Sequence, residues 1–142
     1  MAHLLSTQDF VNLRHGGDGD ATANAVRELN QDELFLSVVT LGELEAAIQQ
    51  LGPDRSADRQ TYEFELRFKI PAAFPGRILD VDSAVAHEWG QLLQRARALS
   101  LHASTPELLI AATAKHYALT LIASNGTALR QLGIDVLDPR ES

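Results

Sequence analysis

The chain has no cysteine, which excludes disulfide staples and thiolate metal centres and is compatible with a reducing cytoplasm. It lacks any apolar run near the roughly 20 residues needed to span a bilayer as a helix. The opening Met1-Ala2-His3-Leu4-Leu5 carries neither a basic stretch nor a long apolar segment, so no signal peptide is expected. Positive charge is also scarce. The 12 Lys and Arg stand against 19 Asp and Glu, and a net charge of −7 argues against a protein that coats nucleic acid non-specifically. That balance leaves room for a nuclease, whose metal-holding carboxylates are themselves acidic. Internal repeats and low-complexity tracts are absent. What remains is a 142-residue chain, 45% hydrophobic, read as one domain over 1–142 with its own core.

The stretch that organises the chain is Leu34 to Leu51. Residues 34–39 form a continuous apolar run, the pattern of a strand buried on both faces. Thr40-Leu41-Gly42-Glu43 then has the T-x-x-E spacing of a helix start, and Leu41, Leu44, Ile48 and Leu51 follow as one stripe. Upstream, Leu4-Leu5 is a short strand, and Ser6-Thr7-Gln8-Asp9 caps a short helix reaching Leu13. His15 to Asp20 is a loop; Gly17 and Gly19 make no nucleotide fingerprint, because the third glycine position is Thr22. Asp20 caps a helix from Ala21 to Leu29.

Downstream, Gly52-Pro53-Asp54 turns into a charged helix from Arg55 to Ile70, ended by Pro71. Tyr62, Leu66 and Ile70 share one face of it, and Phe64 and Phe68 extend that apolar surface. Residues 77–81 read as a strand. Asp82 or Ser83 caps the next helix, with Val85, Trp89, Leu92, Ala96 and Leu99 as its buried stripe. Ser104-Thr105-Pro106-Glu107 is a second capping arrangement, opening a helix over 108–116. A strand over 119–123, a turn at Ser124-Asn125-Gly126, a short helix over 127–132 and a strand over 134–137 complete the chain. Five strands alternating with helices predict an α/β fold in three layers, α/β/α, around a parallel five-stranded sheet.

Such folds present functional side chains beyond the strand C-terminal ends. Four residues fall there: Ser6, Glu43, Glu107 and Asn125. Each has an ordinary role as well. Ser6 is a good N-cap, Glu43 and Glu107 fit capping boxes led by Thr40 and Ser104, and Asn125 precedes a turn glycine. His87-Glu88 begins an H-E-x-x-H zinc motif that fails at Gln91, and the other histidines show no ligand spacing.

The same segments resemble the PIN-domain nucleases, in particular the VapC/FitB-like toxins of bacterial toxin–antitoxin pairs that stabilise plasmids. Leu4-Leu5-Ser6-Thr7-Gln8 is similar to the family's L-L-D-T-N, and Leu36 to Leu44 to its L-S-x-x-T-x-x-E-L segment. Phe74 to Leu79 resembles the F-x-G-R-I-L step. Glu107 to Ala114 is similar to D-x-x-I-A-A-T-A, Leu119 to Asn125 to L-T-L-V-T-R-N/D, and Asp138-Pro139-Arg140 to a closing N-P-W/F. The resemblance implies a PIN-like fold and RNA hydrolysis by water on Mg²⁺ or Mn²⁺ held by clustered acids, here Glu43 and Glu107. It also implies a homodimer and a small antitoxin-like partner, with no membrane and no direct DNA contact expected.

The departures fall on the chemistry. Ser6 stands at the first metal-binding aspartate and Gln8 at its neighbouring asparagine. Glu107 replaces a shorter aspartate, Ala47 a frequent glycine, and Ala123-Ser124 a Thr-Arg pair. Loss of a unit charge about 4 Å from an ion corresponds to ~4 kcal/mol at an effective dielectric near 20. The expectation is therefore a degenerate site, with nuclease activity weak or absent and function exerted through a partner. The alternative is an active endoribonuclease toxin using Glu43, Glu107 and either Asp9 or Asn125. The basic residues most available to RNA are Arg55, Arg59, Arg67 and Lys69.

Overall fold

A computed structural model describes residues 1–16, 19–124 and 126–141. The expected loop glycine Gly17 and the candidate site residue Asn125 lie outside the described residues. The elements run β1 (His3–Leu5), α1 (Thr7–His15), α2 (Ala21–Arg27), β2 (Leu34–Ser37) and α3 (Val38–Gln49). They continue with α4 (Ser56–Phe64), α5 (Ile70–Ala73), β3 (Ile78–Leu79), α6 (Ser83–Ala98) and α7 (Thr105–His116). Strand β4 (Thr120–Ile122), helix α8 (Thr127–Gln131) and strand β5 (Val136–Leu137) follow.

All strand pairs are parallel, in the order β3-β2-β1-β4-β5. Alternation along the central strands divides the core into two layers. Leu4 and Leu121 face Val85, Leu92, Ala96 and Leu108 of α6 and α7. Leu5, Leu36 and Ile122 face Phe10, Val26, Ile70 and Phe74 on the other side. This is the three-layer α/β/α arrangement that the sequence pattern predicts. The strand order reverses at β1, which makes the ends of β1, β2 and β4 the crevice where such sheets collect ligands. No helix among the described residues is long and apolar enough to cross a membrane.

Three sequence expectations need correction. First, β2 stops at Ser37, whose hydroxyl accepts the Val39 N–H at 3.0 Å, so α3 starts at Val38 and Thr40 is not its cap. Glu43 is thereby freed from capping. Second, residues 55–70 are not one α-helix stopped by Pro71. A π-turn over Glu65–Lys69, in which the Ile70 N–H reaches Glu65, widens the coil, and the chain stays helical through Pro71 to Ala73. Pro71 lies inside this continuous helical run and has no N–H to return to the preceding turn, and the widened π-turn stands directly before it. Third, Leu99 lies past the end of α6 and is half exposed, while Val85, Leu92 and Ala96 are buried.

His3 begins the central strand and is only 6% exposed. Burial, then the nearby N-terminal amino charge, holds its imidazole below the usual 6.5. Above pH 6.5 both folded and unfolded chains carry it neutral. As pH falls from 6.5 through the lowered folded value, the unfolded chain takes up the proton first and stability drops. Urea midpoints at pH 7.5 and 5.5 are expected to diverge more for the wild-type chain than for His3→Gln. Equal divergence would rule out His3 as the source of the pH dependence.

Candidate functional site

The site grows out of β1. Ser6, the first residue beyond the strand, gives its backbone N–H to Ile122 of β4 at 3.0 Å, continuing the ladder. Its Oγ accepts the Asp9 N–H at 3.2 Å and so caps α1. The same hydroxyl donates to Asp9 Oδ2 at 2.8 Å. In a complete capping box the acid at the third helical position would turn back to the cap's own N–H. Here that N–H is already in the sheet, and Asp9 turns inward instead.

Asp9 is 0% exposed. Its Oδ1 accepts the hydroxyls of Thr22 at 2.7 Å and Ser124 at 2.8 Å, and its Oδ2 also accepts the Ser124 backbone N–H at 2.7 Å. One carboxylate thus ties together the start of α1, helix α2 and the loop after β4. Four neutral donors, three hydroxyls and an amide, surround it. It forms no ion pair with any described residue.

A second relay fixes Glu43. Thr7 Oγ1 donates to Glu43 Oε1 at 2.6 Å and lies 2.8 Å from Thr40 Oγ1. A hydroxyl has one proton, so with Thr7 giving its own to Glu43, the buried Thr40 is the donor to Thr7. The result is a Thr40 to Thr7 to Glu43 chain across α1 and α3, leaving Glu43 half-buried. Glu107, by contrast, completes its capping box: Oε1 accepts from Ser104 Oγ at 3.0 Å and weakly from Ser104 N at 3.5 Å.

Ser6, Thr7, Gln8, Glu43, Ser104, Glu107 and Ser124 line one polar pocket of about 260 Å³ over the strand ends. Three of the four candidate residues therefore share a pocket; Asn125 is the one not described. Gly126, which follows it, is needed for closeness rather than for an unusual φ. A Cβ there would stand 2.5 Å from Val136 Cγ1.

The donor set bears on a divalent cation. Mg²⁺ takes oxygen ligands in octahedral geometry, commonly one or two carboxylates plus waters. Glu43 and Glu107 supply two carboxylates, each with one oxygen already accepting a hydroxyl. Among the described residues no group of three or more Asp, Glu or His side chains is placed to hold a metal ion. Asp9, the sequence-level substitute for a missing acid, points away from that role because both of its oxygens accept internal donors.

A second, apolar cleft of about 210 Å³ opens between α1, α3 and α4, lined mainly by Phe10, Val11, Leu44, Ile48, Tyr62 and Leu66. Glu65 sits at it with Arg14 at 3.8 Å and His15 at 4.0 Å. Tyr62 packs edge-on to His15 in this cleft, whereas Phe64 and Phe68 face outward, 53% and 62% exposed with rings 5.2 Å apart. The single surface expected from Tyr62, Phe64 and Phe68 is two surfaces. Two residues along a helix turn a side chain through about 200°, which separates Tyr62 from Phe64. Arg55, Arg59 and Arg67 are paired with Asp58, Glu63 and Glu45, and Lys69 lies over the Phe64 ring.

Truncating Asp9 orphans the partly buried Ser124 N–H and the buried Thr22 hydroxyl together. Asp9→Ala is expected to cost roughly 3–5 kcal/mol in urea denaturation, against roughly 0.5 kcal/mol or less for the exposed neighbour change Gln8→Ala. A loss below about 1 kcal/mol for Asp9→Ala would deny the carboxylate this structural role.

Known proteins resemble this chain in sequence and in fold. A family profile described as PIN domain matches residues 10–135. Ribonuclease VapC4 of Mycobacterium tuberculosis is 31% identical over 107 residues, covering 74% of this chain and 76% of that protein. Plasmid stability protein StbB of Pseudomonas syringae pv. tomato is 28% identical over 113 residues, covering 78% of each. The crystal structure of FitAcB from Neisseria gonorrhoeae aligns with a TM-score of 0.85 at 23% identity, covering 99% of both chains. The structure of VapBC2 from Rickettsia felis bound to a promoter DNA fragment aligns at 0.73 and 19% identity, covering 96% of this chain and 98% of that one. The two structures carry the fold, and the profile and the curated relatives carry the family. The chain belongs to the PIN-domain family, in its VapC/FitB-like branch.

Proposed function

We propose that this chain, as a single PIN-like domain, is the toxin-family member of a toxin–antitoxin pair, with an acidic site too depleted for efficient RNA cleavage. The observation that carries the reading is the fate of the acids. The pocket presents Glu43 and Glu107, while the serine at position 6 and the aspartate at position 9 are bound to each other. A divalent ion taken by this pocket would be held by Glu43 and Glu107 with water completing its shell. When bound, such an ion supplies Lewis-acid activation of water and phosphate. Ser6 adds no charge to that set.

Action through a partner is supported by the apolar cleft between α1, α3 and α4 and by the outward Phe64–Phe68 pair. The cleft has the concavity and lining to receive apolar side chains of a small antitoxin-like protein, and Glu65, Arg14 and His15 at it offer charged contacts. The phenylalanine pair suits a homodimer contact. Regulation of an operon would then pass through the partner's DNA-binding part, in the cytoplasm. The second reading, an active Mg²⁺- or Mn²⁺-dependent endoribonuclease toxin, is supported by the name of the 31% identical relative, a ribonuclease.

Calorimetric titration with Mn²⁺, paired with cleavage of a mixed RNA substrate, separates the two. The expected outcome is no saturable binding up to millimolar Mn²⁺ and no cleavage beyond that of Glu43→Gln. Cleavage by the wild-type chain that Glu43→Gln abolishes would establish the active reading instead.

A further inference from the structure

The Ser6–Asp9 contact constrains the pocket in a way that the two glutamates do not. Ser6 Oγ borders the pocket and donates to Asp9 Oδ2 at 2.8 Å. A carboxylate in place of that hydroxyl would bring no proton of its own to the Asp9 carboxylate. Two unit charges near 4 Å at an effective dielectric near 20 oppose each other by about a thousandfold in an equilibrium constant. Asp9 cannot swing away, because Thr22 and both donors of Ser124 hold it in the buried corner.

We infer that residues 6 and 9 are an exchange pair: Asp9, fed by Ser6, Thr22 and Ser124, closes this corner of the sheet with protein groups alone and keeps a cation-binding acid out of position 6. The pair, not Glu43 or Glu107, then decides whether the pocket accepts a divalent cation. Both glutamates are available to the pocket whatever occupies position 6, since Thr7 and Ser104 orient them independently. The acid at position 9 is what makes a third carboxylate incompatible. This inference deepens the degraded-site reading and rests on it for its cation half; the coupling of the two residues stands without it.

The test is a reciprocal exchange read by thermal unfolding and Mn²⁺ calorimetry on the full chain. Ser6→Asp alone is expected to lower Tm by more than about 10 °C, and Asp9→Ser alone by about 5–10 °C. In the double variant the hydroxyl introduced at position 9 can donate to the carboxylate introduced at position 6. Its Tm is expected at least about 5 °C above the sum of the single losses. Its Mn²⁺ binding is expected to saturate at least about tenfold below the millimolar limit up to which the wild-type chain shows none. Should Ser6→Asp fail to fold, Ser6→Asn matches its shape without the charge and is expected to unfold well above it. Additive single losses, or equal damage from Ser6→Asn and Ser6→Asp, would overturn the pairing. Coupled stability without a gain in Mn²⁺ binding would overturn the cation half. RNA cleavage by the wild-type chain would defeat the degraded-site reading without moving the Tm cycle, so the two failures are separable.

Discussion

The backbone N–H of Ser6 points into the sheet, at 3.0 Å from the Ile122 carbonyl, and much of the site depends on that one bond. Because the amide is engaged there, the aspartate three residues on has no cap donor to return to. It takes the serine hydroxyl and turns into the interior, where α2 and the β4 loop supply the remaining donors. A buried carboxylate without such donors would be strongly destabilising; with four of them it becomes a rigid tie among three segments distant in sequence. The crossing of β1 between β2 and β4, the feature that creates the crevice, is therefore also what occupies this acid.

Two segments with nearly the same spelling show where legibility ends. Ser6-Thr7-Gln8-Asp9 and Ser104-Thr105-Pro106-Glu107 both read as capping sequences, and both serines do cap their helices. Glu107 completes its box because no strand precedes Ser104 to claim the amide. Asp9 does not. Locally the two differ by one methylene in the acid, Asp9 against Glu107, and by the apolar pair before Ser6; what turns Asp9 inward is the parallel pairing of that pair with β4, which takes the Ser6 amide to Ile122, more than a hundred residues away. Thr22 and Ser124 were invisible for the same reason, since their role exists only once Asp9 is known to be inside.

The layered fold was far more legible. Apolar runs at 34–37 and 119–122 and helical stripes in α6 and α7 report burial directly, and burial is a local property of composition and period. Errors collected where a polar residue had two structural uses or where the helical pitch changed. Thr40 looked like a cap because T-x-x-E spacing is indifferent to where the strand stops, and Ser37 stopped it three residues earlier. The π-turn at Glu65–Lys69 carries no periodic signature, yet the helix runs on through it to Pro71, while the regular pitch of α4 already turns Phe64 away from the cleft that Tyr62 lines.

A scaffold of this kind separates the stability of the fold from the chemistry at its edge. The core is two apolar layers that make no use of Glu43 or Glu107, so substitutions at the strand ends are tolerated only as far as each buried polar group still finds a partner. An acid at position 6 would need the corner now held by Asp9 to be filled by a neutral group that still accepts from Thr22 and Ser124. A serine at position 6 serves an acid at position 9. Acids at positions 6 and 9 oppose each other through like-charge repulsion, which makes the step from one to the other a concerted one. On that physical ground Ser6, Asp9 and Ser124 are best understood as one arrangement distributed over three residues, in which none can change its chemistry without stranding a donor or a charge of the other two.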